Sequence, residues 1–305
     1  MIHGPATGDG ELVARPHGQS HDQGEKMEQV GLVSVVASDG VRLDGTFSRA
    51  HKEPALGVDL VIFHHGRGTN FYNPSMAQGL TEYFLNEGCS VLRVNNRGHD
   101  HAYQSRQGWL GSAYEIVDDF RRDSAAWLDF AEAAGFRRSL VWGHSLGAVK
   151  LLYLLGTEPD ERIVRAIASS PPRFHYAMFV EGPEGAGRVA TFERANSLVA
   201  AGQPDALVEF EFGTPMWFSA GSLLDKYGPD DRYDFYRHLP SIELPLLLTL
   251  GGLEDGLGFA PLAADGPALA EKQANLTYTS VEGADHSYLA RIPEVWSLIR
   301  EWLLG

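Results

Sequence analysis

Ser145 stands in the run Val141-Trp142-Gly143-His144-Ser145-Leu146-Gly147-Ala148, a Gly-x-Ser-x-Gly pattern. An apolar stretch from Ser139 to Trp142 precedes it, and a helix-prone stretch from Leu146 to Leu155 follows. A serine on a sharp strand-to-helix turn exposes its hydroxyl for nucleophilic attack, and that strained turn has no room for side chains two residues to either side. Gly143 and Gly147 leave that room. The first free N–H of the helix, that of Leu146, points to where negative charge develops on an attacked carbonyl. In a chain with 34 glycines, five residues carry weight only through what surrounds them.

A serine nucleophile needs a base, and the base needs an acid to orient it. Leu276 to Val281 alternates as a strand and runs into Glu282-Gly283-Ala284-Asp285-His286-Ser287-Tyr288. Among 12 histidines, His286 is singled out by following a late strand, and it is the candidate base. Leu244 to Leu250 reads as a buried strand that ends in Gly251-Gly252-Leu253-Glu254-Asp255-Gly256. Glu254 and Asp255 both sit where an acid could meet the histidine, whereas Asp285 is too near His286 in sequence to turn back on it. A serine rather than a carboxylate nucleophile directs the chemistry to acyl transfer.

Nucleophile, acid and histidine in that order, each at a strand end, resemble the α/β-hydrolase superfamily, and the likeness runs from about Gly31 to the C-terminus. Asn95-Asn96-Arg97-Gly98-His99-Asp100 and Gly143 to Lys150 are similar to bacterial hydrolases related to fungal siderophore esterases. The resemblance implies a mostly parallel, doubly wound sheet with a helical cap inserted after the sixth strand. It favours Asp255 as the acid, with Glu254 in reserve. It also implies that His64-His65-Gly66-Arg67-Gly68, after the Val58 to Phe63 run, forms the oxyanion segment. There the main-chain N–H groups of Arg67 and Leu146 would hold the oxyanion, and the Arg67 side chain could instead reach a substrate carboxylate. His65, Gly66, Gly68, His144 and Trp217 are the candidates for lining the substrate pocket, with His144 expected to pack rather than catalyse. The implied activity is hydrolysis of a small-molecule carboxylic ester through an acyl-enzyme. A carbon–carbon bond hydrolase, a lactonase, a transacylase or a hydrolase-fold ligand receptor would keep the same residues.

The elements that must position these groups are legible in outline. Residues 1–29 are rich in Gly, His, Asp and Gln without apolar periodicity and read as a disordered extension. A hairpin is expected to pair Leu32–Val36 with Val41–Phe47 across Ser38-Asp39-Gly40. Strand and helix then alternate, which predicts a parallel sheet with helices on both faces. Residues 30–170 and 242–305 form the catalytic domain in this reading. Residues 171–241 form a mostly helical cap, with helical patches at 187–201 and 203–210.

Composition narrows the function further. A formal charge of −15 repels nucleic acid and anionic membrane surfaces at long range. One cysteine, Cys89, excludes an internal disulfide and reads as a small buried residue. With no basic-then-apolar start and no long apolar run, the expected location is cytoplasmic. His64, His65, His99, Asp100 and His101 follow two adjacent strands, but their spacing matches no metal site, so neither metal nor other cofactor is expected. Lys150 is read as snorkelling to solvent. Oligomeric state is left open.

Overall fold

Runs such as Leu60-Val61-Ile62-Phe63 and Leu246-Leu247-Leu248 have no polar face, and strands of that kind need cover on both sides. A computed structural model describes residues 30–182, 184–211, 215–254, 256 and 258–305, and it provides that cover. The expected 1–29 extension lies outside the described residues. In chain order the elements are β1 (Gly31–Val36), β2 (Arg42–Ser48), β3 (Leu60–His64), α1 (Met76–Asn86), β4 (Ser90–Val94), a small hairpin of β5 (Tyr103–Ser105) and β6 (Gly108–Leu110), α2 (Phe120–Ala133), β7 (Ser139–His144), α3 (Leu146–Thr157) and β8 (Ile163–Ser169). An insertion follows, and the sheet resumes with β11 (Leu246–Gly251), α7 (Ala260–Lys272), β12 (Leu276–Val281) and α8 (Ile292–Leu304).

Eight strands lie in the order β1-β2-β4-β3-β7-β8-β11-β12. The pairs β1/β2 and β2/β4 are antiparallel and the rest are parallel, so the expected doubly wound sheet is present. One face packs Trp127 of α2, Leu151 and Leu155 of α3 and Leu262 of α7 against the strands. The other packs Leu80 and Phe84 of α1 with Val295, Ile299 and Leu303 of α8, and buries Cys89.

The order of strands sets the position of the site. From β3 the chain passes through α1 to β4 on one side, then returns to lay β7 on the other. The loops after β3 and β7 therefore diverge and leave a crevice at the strands' carboxyl ends, the place where such sheets bind ligands. His64 is the register partner of Gly143, which brings the His65-Gly66 loop beside Ser145.

The segment between β8 and β11 is less helical than expected. It holds α4 (Tyr176–Val180), α5 (Gly185–Ala200), α6 (Ala220–Tyr227) and an antiparallel hairpin of β9 (Leu207–Glu211) and β10 (Pro215–Ser219). The helix expected over 203–210 is instead largely strand β9. Leu207-Val208-Glu209-Phe210-Glu211 alternates strictly, with Val208 and Phe210 buried and the other three exposed, which is a strand period. An aromatic cluster of Phe174, Phe179, Phe192, Phe210, Phe218 and Tyr227 packs this segment onto Leu146 and Val149 of α3.

Candidate active site

Ser145 is the residue between β7 and α3, and its backbone is left-handed, with φ 56° and ψ −122°. Such a conformation costs a non-glycine residue about 1–3 kcal/mol and persists only where the surroundings enforce it. Here the Ser145 N–H donates to the Ser169 carbonyl at 2.8 Å, and its own carbonyl accepts from Ala148 and Val149. The flanking glycines are required by space: a Cβ on Gly143 would lie 2.3 Å from the Gly147 carbonyl oxygen, and one on Gly147 would lie 2.5 Å from that of His64. Leu146 opens α3, and the Ser145 side chain makes no capping hydrogen bond to the first N–H groups of the helix.

The His65-Gly66 loop is braced through a chain of three contacts. Arg97 is buried, donating its N–H to Asp123 Oδ2 at 2.8 Å and its guanidinium to Asp123 Oδ1 and Asp39. This fixes the loop in which the Asn96 N–H donates to His65 Nε2 at 3.1 Å. With Nε2 accepting, His65 carries its proton on Nδ1 and donates it to the Gly66 carbonyl at 2.7 Å. Burial pushes the His65 pKa down to about 3, with Lys150 adding to the effect, so the ring stays neutral and keeps this tautomer. Gly66 lies against Ser145, since a Cβ on it would be 3.0 Å from Ser145 Cβ. Arg67 follows with its side chain exposed, and Gly68 has φ 65°. His64 Nδ1 meets Asn96 Oδ1 at 2.8 Å and His99 Nδ1 meets Asp100 Oδ2 at 2.7 Å, so these histidines hold loops. Among the described residues no His, Cys, Asp and Glu side chains gather as a metal site.

His286 lies on the loop after β12, with Nδ1 2.5 Å from Glu254 Oε1. The carboxylate that meets the histidine is thus the reserve residue Glu254; the favoured Asp255 lies outside the described residues. Glu254 is held by three donors, because Oε2 also accepts from the Ser170 hydroxyl and from the Gly251 N–H at 2.7 Å. Burial pushes its pKa up, but the hydrogen bonds from His286, Ser170 and Gly251 outweigh this and hold it below the ordinary carboxylate value. His144 Nε2 donates to the His286 carbonyl at 2.7 Å, and the two rings lie 4.8 Å apart. His144 therefore joins the Ser145 turn to the His286 loop. Among the described residues no hydrogen bond joins Ser145 Oγ to His286 Nε2, and the His286 side chain is 42% exposed.

Two sequence expectations need correction. Lys150 does not reach solvent: it is 1% exposed and paired with Glu115, whose other oxygen lies 3.2 Å from Lys226 of α6. Burial raises the Glu115 pKa, but the two ammonium groups overcome this and bring it down to about 2. Trp217 is 57% exposed, on the outer face of the hairpin opposite Glu209, while its neighbour Phe218 is the one that faces the aromatic cluster. Sequence reasoning also missed Glu115, Ser170, Lys226 and Tyr288, none of which lies in a recognisable motif.

The sheet order and the place of the serine upon it are those of the α/β-hydrolase class. The chain belongs to the alpha/beta hydrolase family, whose model matches residues 61–295. Among curated proteins none matches it in sequence. Solved structures do. Est1E from Butyrivibrio proteoclasticus is 16% identical with a TM-score of 0.59, over 90% of this chain and 98% of that one. The Pyrococcus furiosus esterase Pf2001 is 19% identical with a TM-score of 0.62, over 90% and 91%. A soluble variant of monoglyceride lipase from Saccharomyces cerevisiae is 16% identical with a TM-score of 0.62, over 91% and 95%. At such identities the likeness is one of fold. No helix among the described residues is long and apolar enough to cross a membrane.

Proposed function

We propose that the protein is a serine hydrolase that cleaves a small-molecule carboxylic ester through an acyl-enzyme, with Ser145, His286 and Glu254 as its triad. The observation that carries this reading is the strained Ser145 turn, linked through His144 to a histidine whose far nitrogen is held by a carboxylate. Ser145 Oγ attacks the ester carbonyl carbon while His286 Nε2 takes its proton. The tetrahedral oxyanion is held by the N–H groups of Leu146 and Arg67. On collapse the carbon–oxygen bond to the alcohol breaks, and His286 returns the proton to the leaving oxygen. Water then attacks the acyl-enzyme with His286 as base, releasing the acid and restoring Ser145.

Glu254 keeps the Nδ1 proton on the ring and stabilises the imidazolium formed in each half-reaction. The 171–241 segment acts as a cap in this account, because its aromatic cluster packs directly onto Leu146, the residue after the nucleophile. Esterases and a lipase among the structural relatives agree with the reading. Intact-mass measurement after a fluorophosphonate probe tests the nucleophile, and a panel of p-nitrophenyl esters and lactones tests the chemistry. One adduct that disappears in Ser145→Ala, with turnover of esters over lactones, is the expected result. Preference for lactones would move the assignment to a lactonase, and absence of any adduct would remove the serine mechanism.

A further inference from the structure

Ser170 and Tyr288 are 118 residues apart, and neither has a part in the chemistry above, yet their hydroxyls meet at 2.6 Å directly behind Glu254. Both are buried, and both have left-handed backbones, φ 50° for Ser170 and 59° for Tyr288. Strain of this kind in non-glycine residues gathers at functional sites. Of the five described non-glycine residues with positive φ, Ser145, Ser170 and Tyr288 belong to one connected set.

The directions of the hydrogen bonds are fixed by chemistry. An ionised carboxylate only accepts, so Ser170 must give its one proton to Glu254 Oε2. Ser170 Oγ can then only accept from Tyr288, which must be the donor at 2.6 Å. The alternative acceptor for Tyr288, Thr249 Oγ1, is 3.4 Å away and gives its own proton to Ser169 Oγ at 2.8 Å. Tyr288 stays protonated, because burial pushes its pKa well above the ordinary phenol value.

We propose that Ser170 and Tyr288 are positioning residues that aim Glu254 at His286 and draw off part of its charge, through a one-way chain from Tyr288 to Ser170 to Glu254. This rests on the triad reading given above. A glutamate reaches further than an aspartate and has one more rotatable bond, so it needs a second anchor to present one oxygen to the imidazole. Ser170 and the Gly251 N–H hold Oε2, which leaves Oε1 for His286. The other titratable groups facing this pair are His144, Tyr278 and Asp285, and none of them gives a hydrogen bond to Glu254.

The test compares Ser170→Ala, Tyr288→Phe and the double variant with the wild type, using a p-nitrophenyl ester after fluorophosphonate labelling has established the nucleophile. Ser170→Ala should lower kcat by about tenfold with little change in KM, the worth of one hydrogen bond to a charged group. Without the Ser170 donor, Glu254 offers more negative charge to the imidazolium, so the acid limb of kcat/KM should move up by about half a pH unit. Tyr288→Phe keeps the ring that fills the core and should shift the limb the same way by less. The double variant should be no worse than Ser170→Ala, because Tyr288 acts through Ser170. The His286 Nδ1–H proton, followed by NMR, should move further downfield in both single variants, and this readout needs no turnover. Additive losses with an unmoved acid limb, or an unmoved Nδ1–H resonance, would overturn the chain. Failure of the wild type to label would overturn the triad reading and leave the NMR comparison to judge the chain by itself.

Discussion

His144 donates from Nε2 to the main-chain carbonyl of His286 at 2.7 Å, so the residue beside Ser145 holds the loop that carries His286. Two segments from distant parts of the sequence are thereby fixed to each other by one neutral imidazole. Burial, with the nearby His286, pushes the His144 pKa down to about 4, which keeps the ring neutral at working pH.

His144→Ala should accordingly lower kcat by about tenfold, the cost of losing one positioning hydrogen bond. His144→Gln, whose amide nitrogen can reach nearly as far as Nε2, should recover most of that loss. Steady-state kinetics on one ester checks both; equal losses would mean that the ring packs and does not tether.

Glu254→Gln should cost roughly 10³ to 10⁴ in kcat, since an amide leaves the imidazole without its charge partner and can select the wrong tautomer. Asp255→Asn should cost little. Side-by-side kinetics decides, and the reverse ranking would restore Asp255 as the acid.

How far the sequence discloses this site depends on whether the signal is local. Gly143, Ser145 and Gly147 declare the turn because the pattern spans only five residues, although the space demand on Gly147 comes from the His64 and His65 carbonyls. The unbroken apolar runs likewise announce β3, β7 and β11. Glu254 against Asp255 is a different matter: adjacent residues on a strand-end loop differ only in which way they face, and that is set by Ser170 and His286 from elsewhere in the chain. The Glu115, Lys150 and Lys226 cluster is likewise invisible, because a lysine on a helix reads as exposed until its partners are known. Helix α7 is hidden by Gly266 and Pro267 within it, although Gly266 is what lets the helix lie against the ring of Tyr278.

Glu115→Gln should destabilise the protein by about 3–5 kcal/mol, because two buried ammonium groups lose their counter-charge. Lys226→Met should cost less, since Lys150 and Glu115 remain as a neutral pair. Urea denaturation of both variants gives the order, and a larger loss for Lys226→Met would contradict it.

Stability should fall as the solution is acidified below about pH 6.5. Burial pushes His64 down to about 4 and His65 to about 3, so the unfolded chain takes up protons that the folded chain refuses. The stabilisation is complete above the unfolded value and is lost as pH falls toward the folded values. Each histidine contributes up to about 1.4 kcal/mol per pH unit across that window. Urea midpoints between pH 7.5 and 5 measure the slope; a flat dependence would mean that both rings accept protons in place.

The most direct test of the account is fluorophosphonate labelling followed by intact-mass analysis of wild type and Ser145→Ala. The wild type should gain one adduct, and the variant should gain none while its ester turnover drops by on the order of 10⁴ to 10⁶ with the fold unchanged. An undiminished adduct on the variant, carried by another residue, would contradict Ser145 as the nucleophile.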